Sequence, residues 1–102
     1  MSDELHAVNN AASHRFEVTM GEAVAFTEYR IEGPKIVLPH TVVPDAFKGR
    51  GVGGILASAA LGYAREKGLK VVPLCSFMAG YISKHPEWLD VVRDDFKARL
   101  GG

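Results

Sequence analysis

The 102-residue chain has one cysteine, no net charge and no long apolar run, and each shortage excludes a class of protein. With Cys75 alone there is no intramolecular disulfide and no cysteine-based metal site. Twelve acidic side chains balance twelve basic ones, so the total charge predicts neither a nucleic-acid surface nor a membrane surface, and basic residues must act locally or not at all. No stretch of eighteen apolar residues and no signal-like segment near the start suggests a spanning helix or a leader, and the chain reads as soluble and cytoplasmic. No Gly-Lys-Ser or Gly-Lys-Thr occurs, which removes the triphosphate loop. At this length, roughly 60–65 % of the unfolded surface is buried on folding, enough for one modest core and no second lobe. Apolar content of 47 % and charged content of 24 % argue against disorder.

What the chain does have is a basic, glycine-rich turn between a strand and a helix. In Val42-Val43-Pro44-Asp45-Ala46-Phe47-Lys48-Gly49-Arg50-Gly51-Val52-Gly53-Gly54, four glycines leave the backbone bare and permit positive φ. A helix begins directly behind them, and its first N–H groups lack internal partners and carry the positive end of the macrodipole. An anion is stabilised there, and Lys48 and Arg50 add two cations. The alternative is a tight connection with no ligand. Gly49-x-Gly51-x-x-Gly54 fits the dinucleotide pattern, but that pattern needs an acidic residue at the end of the next strand, where this chain has Cys75-Ser76.

Taken in order, residues 1–13 lack either period and suggest a loose tail before one domain over residues 14–102. Residues 15–20 alternate with Phe16, Val18 and Met20 on one face, as a half-buried strand does. Residues 23–31 and 35–43 read as the second and third strands of an antiparallel meander, with Pro39 implying a bulge or an unpaired edge. Val52, Ile55, Leu56, Ala59 and Tyr63 recur at helical spacing, and Lys67-Gly68 ends that helix. Residues 69–74 form a short apolar strand, which a strand-helix-strand order makes parallel to the third strand through a right-handed crossover. A helix around Tyr81 follows, and His85-Pro86 breaks it before a last helix that buries Trp88, Leu89, Val92, Phe96 and Leu100. The fold class is α+β.

Lys48-x-x-Gly51-x-Gly53 resembles the R/Q-x-x-G-x-G/A turn by which GCN5-related N-acetyltransferases hold the pyrophosphate of acetyl-coenzyme A. More closely, the chain is similar to a short N-acetyltransferase-like family of that superfamily over roughly residues 15–88. The resemblance rests on His40-Thr41 before the turn and on Pro73-Leu74-Cys75-Ser76-Phe77, Tyr81 and His85-Pro86 after the next strand. Lys48 stands where the superfamily has Arg or Gln, and the front helices that build an acceptor pocket in larger relatives are missing.

The resemblance implies an acetyl-CoA-dependent N-acetyltransferase in which an amine, from a protein or peptide lysine or a small molecule, attacks the thioester directly. The other implied reading is a coenzyme A-binding module or sensor without turnover. Backbone groups of Val42 and Val43 would pair with the pantetheine arm, and Lys48, Gly49, Arg50, Gly51, Val52, Gly53 and Gly54 would hold the pyrophosphate. Tyr81 would protonate the departing thiolate, or pack as a helix aromatic. Cys75 would lie beside the thioester, as an activated nucleophile or as a buried small apolar group. His40 would be the base toward the incoming amine, or a satisfied core histidine. His85 reads as a helix-end residue, and Glu28 is a weak substitute for the carboxylate base that the third strand lacks.

Overall fold

A computed structural model describes residues 5–97. Four strands form one sheet in the order β1-β2-β3-β6: Val8–Asn10, Arg15–Met20, Ala23–Glu28 and Thr41–Val42. Arg30–Glu32 (β4), Lys35–Leu38 (β5) and Lys70–Pro73 (β7) form a second sheet in the order β4-β5-β7. The helices are Val52–Lys67 (α1), Ser76–Lys84 (α2) and Asp94–Lys97 (α3), with 3-10 turns at Ala11–Ser13, Asp45–Phe47 and Pro86–Val91. No helix among the described residues is long and apolar enough to cross a membrane.

The hairpin expected from the second and third strands is present, but it is cut in two by a bulge. Phe26 pairs with Val42 and Thr27 with Thr41, and Glu28 N–H donates to His40 O at 2.8 Å, while beyond the cut Arg30 pairs with Val37. Tyr29 on one strand therefore opposes Leu38 and Pro39 on the other, an extra residue that bends the ladder where proline cannot donate. The two halves join different sheets. β5 continues the second sheet through a parallel ladder with β7, in which Ile36 pairs with Val71 and Leu38 with Pro73. β6 stays with β3, so a gap opens between β6 and the end of β7.

α1 bridges the two sheets. Its buried side chains are Val52, Leu56, Ala57, Ala60, Leu61 and Ala64, whereas Ile55, Ala59 and Tyr63 of the expected stripe flank that face half-covered. The alanines draw the helix close to Phe16, Val18, Ala25, Ile36 and Val71. A fully buried leucine such as Leu61 contributes about 1.5–3 kcal/mol through removal of its surface from water. Gly68 ends the helix at φ 69°, and its N–H and that of Leu69 both turn back to the last carbonyls. Near this end the Arg65 guanidinium lies 4.4 Å from the centre of the Trp88 ring and pairs with Asp90.

Two regions differ from the sequence pattern. The edge of the first sheet begins at Val8, inside the expected tail, because β1 pairs antiparallel with β2 and Asn9 Oδ1 accepts the Tyr29 hydroxyl at 2.8 Å. The expected last helix is divided: Pro86–Val91 is a 3-10 turn, Val92 is extended and bridges Val71, and α3 starts only at Asp94. The Arg93 N–H bond to Val71 O at 3.0 Å shows what overrides the helical period, an added segment beside β7. Leu100 lies outside the described residues.

Candidate active site

The glycine turn is pinned by Phe47, which is buried and donates its N–H to Pro44 O at 3.0 Å. Lys48 N–H bonds Asp45 O and Arg50 N–H bonds Phe47 O, each at 3.0 Å. Gly49 at φ 76° and Gly51 at φ 67° then swing the chain into α1 through a conformation that L side chains rarely adopt. Gly51 is the N-cap and offers no capping side chain, and the first helical bond is Ile55 N–H to Gly51 O at 3.2 Å. Among the described residues, nothing accepts from the N–H groups of Gly49, Gly51, Val52, Gly53 or Gly54. Lys48 and Arg50 are exposed and have no acidic partner among the described residues. This is a row of donors at the positive end of a 16-residue helix, with two cations in the turn that leads into it.

The gap between β6 and β7 begins beside this turn. In the β3–β6 ladder the groups of His40 and Val42 face β3, as the Glu28-to-His40 bond fixes. Alternation turns the N–H and C=O of Thr41 and Val43 outward toward the gap. Of the two residues expected to offer backbone groups, Val42 faces β3 in this register, whereas Thr41, like Val43, faces away from it. Val42, Val43, Leu74 and Phe77 are exposed apolar side chains from the end of β6 and the β7–α2 junction. The Phe77 ring lies directly on Gly53, and Tyr81 Cε2 would be 3.8 Å from a β-carbon at Gly54.

Cys75 closes the gap at its inner end. It is the half-buried N-cap of α2, where Sγ accepts from Met78 N–H at 3.4 Å and lies 3.3 Å from Thr41 Oγ1. Thr41 Oγ1 lies 2.8 Å from Thr27 Oγ1, whose hydroxyl reaches His40 O at 3.3 Å. A carbonyl only accepts, so the chain of hydrogens runs from the Cys75 thiol through Thr41 and Thr27 to His40 O. Sequence reasoning missed this relay. Its available signal was Thr27, a hydroxyl at a core-facing strand position, and the structure leaves it without solvent exposure.

No hydrogen bond among the described residues joins the three catalytic candidates, Tyr81, Cys75 and His40. Tyr81 is half-buried, with its hydroxyl 3.2 Å from Ser58 Oγ and its ring stacked 4.2 Å from His85. Among the described residues no hydrogen bond links it to Cys75 or His40. His40 is exposed and, by strand alternation, projects from the face opposite Thr41 and Cys75. It is not a core histidine. Glu28 lies opposite His40 in the same register, half-buried.

A hairpin sheet splayed from a parallel strand, with an uncapped glycine turn at the intervening helix, defines an acetyltransferase-type α+β fold. The chain belongs to the GCN5-related N-acetyl-transferase family, whose sequence profile matches residues 15–91. Among individual proteins it is 42 % identical over 59 residues to NATD1 of Mus musculus, covering 57 % of this chain and 54 % of that protein. It thus spans about half the length of the curated relatives it matches first. NATD1 of Danio rerio is 30 % identical over 97 residues, covering 88 % of this chain and 86 % of that one. A GCN5-like protein of Staphylococcus aureus, solved by NMR, superposes with a TM-score of 0.72 at 30 % identity, covering 90 % of this chain and 91 % of that one.

Proposed function

We propose that this protein is an acetyl-CoA-dependent N-acetyltransferase. The observation that carries the reading is the run of unbonded amides at Gly49 and Gly51 to Gly54, beside two cations that have no acidic partner among the described residues and next to the gap left where β6 and β7 do not pair. The fit to a diphosphate is chemical: amide donors and cations converge, and no acidic residue among those described pairs with either cation. Lys48 and Arg50 flank the diphosphate, and Thr41 and Val43 offer outward backbone groups that an extended pantetheine arm pairs with as an added strand. Acetyl-CoA supplies the acetyl thioester at the gap. His40 takes the proton of the incoming amine, and Tyr81 gives one toward the departing thiolate.

Calorimetric titration tests the reading. Acetyl-CoA binds in the micromolar to submillimolar range, and Lys48→Ala/Arg50→Ala weakens it by about 10- to 100-fold, since each charge-assisted contact contributes about 1–1.5 kcal/mol in an exposed turn. No heat at millimolar ligand refutes it. One finding favours a second reading, a coenzyme A-binding module without turnover: the Tyr81 hydroxyl is engaged by Ser58 Oγ at 3.2 Å and, among the described residues, makes no hydrogen bond to Cys75. Acetylation of a panel of peptides and polyamines separates the two, because a pure binder forms no product above the uncatalysed background. A covalent route through Cys75 predicts a mass gain of one acetyl group that is lost in Cys75→Ala.

A further inference from the structure

The bulge that separates the sheets also leaves a cavity of about 370 Å³, lined by Ser13, His14, Glu28, Arg30, Ile31 and Pro39 among others. That volume is at the small end of ligand sites. We propose that it is the acceptor subsite, binding a primary alkylammonium through Glu28; this rests on the transferase reading above.

The argument begins with charge. Glu28 is half-buried, and among the described residues no side chain donates to its carboxylate. Two cations flank it and both are committed elsewhere: Arg15, directly opposite on β2, pairs with Glu17, and Arg30, two residues on, pairs with Glu32, which also has Lys35 Nζ at 3.9 Å. A partly desolvated carboxylate with no cation of its own, in a concave site, selects a cationic ligand. The walls set its shape. Ile31, 45 % exposed, and Pro39 offer an apolar surface to a methylene stem, as the stem of a lysine side chain requires. His14 forms the far wall in a left-handed conformation at φ 55°, held by Tyr29 N–H on its carbonyl at 2.9 Å.

Position completes the argument. Glu28 N–H and the Thr27 hydroxyl share the His40 carbonyl, and from Thr27 the relay continues through Thr41 to Cys75. The cavity and the thiol therefore stand on opposite sides of one strand pair, β3 and β6, beside the gap where β6 leaves β5. His40 does not itself line the cavity; it is the cross-strand neighbour of Glu28 on the same face, and from that rim position it would take the proton of an ammonium bound to Glu28. Glu28 binds; His40 deprotonates.

The test is amide-resolved NMR of the full chain, free and saturated with coenzyme A, titrated with Nα-acetyl-lysine methylamide and with its neutral norleucine analogue. Saturable shifts of the His14, Glu28, Arg30 and Ile31 amides are expected with the lysine probe alone. Glu28→Gln should weaken that binding at least about tenfold with coenzyme A affinity unchanged. Ile31→Lys, at an exposed rim position, should weaken it similarly by placing a competing ammonium over Glu28, and it carries the test if Glu28→Gln unfolds. Shifts centred elsewhere, equal binding of norleucine, or unchanged affinity in the folded variants overturn the proposal. Lysine-probe binding here in a protein that takes no coenzyme A would overturn the transferase reading and leave the site standing. Coenzyme A binding without these shifts does the reverse.

Discussion

Replacing Gly53 by alanine sets a methyl carbon 2.6 Å from Cζ and 2.9 Å from Cε1 of Phe77, distances that real β-carbons essentially never show. The ring must move, and it has room, since Phe77 is 39 % exposed on the first turn of α2. The stability terms nearly cancel. Alanine in place of glycine in a helix contributes about 0.5–1 kcal/mol, and the lost contact of a half-exposed ring costs a similar amount. Gly53→Ala should therefore melt within a few degrees of the parent. Acetyl-CoA affinity should nevertheless fall at least about tenfold, about 1.4 kcal/mol, because the displaced ring swings across the approach to the amides of residues 51–54. Gly51→Ala is the counterpart, with open space around its β-carbon but a φ of 67°. It costs about 1–2 kcal/mol, and each kcal/mol lowers Tm by about 4–8 °C in a domain of this size; Gly51→Asn, whose side chain tolerates that conformation, should recover part of the loss. Thermal melts beside calorimetric titrations separate these effects. Undiminished acetyl-CoA affinity in Gly53→Ala with the ring shown to have moved, or a cost-free Gly51→Ala, would refute the reasoning.

Thr27→Val removes the hydroxyl that fixes the polarity of the relay, lowering stability by about 1 kcal/mol. It also frees the Thr41 hydroxyl to donate to Cys75 Sγ, so iodoacetamide should alkylate Cys75 several-fold faster at fixed pH; a slower reaction would reverse the assigned polarity. The Arg15 hydrogen bond, joined by one from Asn10, holds the Glu17 carboxyl below its usual 4.5. Its contribution is complete above that value and lost as pH falls through the lower folded-state pKa. With the Glu17 side chain only 19 % exposed and Arg15 31 % exposed, Glu17→Gln should flatten the acid limb of the stability curve by up to about 1 kcal/mol, read from urea midpoints at pH 3 and 7. Leu61→Ala, at a position with no solvent exposure, should cost about 3 kcal/mol in the same assay.

Local signals were the legible ones. The glycine turn, the Gly68 stop and the start of α2 after Cys75 depend on φ preferences and capping within a few residues, so the chain itself displays them. Pro39 announced a bulge, yet not that each half of the interrupted hairpin would join a different sheet, because that choice is made by β7, over thirty residues away. Val92 shows the same limit. Its helical spacing with Trp88 and Leu89 is real, but a bridge to Val71 outweighs it. β1 has too short a run, Val-Asn-Asn, to display alternation, and only its pairing with β2 orders it. In the site, the anion-binding turn could be read residue by residue. The Thr27–Thr41–Cys75 relay could not, since its members lie on three separate strands or strand ends.

The stacking of Arg65 on Trp88 has a practical consequence. The chain contains a single tryptophan, and Arg65 stands fourteen residues beyond Gly51 along α1, about 21 Å at 1.5 Å per residue. Intrinsic emission therefore reports from the pole of the molecule remote from the glycine turn. It should follow global unfolding faithfully while staying nearly silent when a nucleotide-bearing thioester arrives at the other pole. One fluorophore thus separates loss of fold from loss of ligand in every variant above.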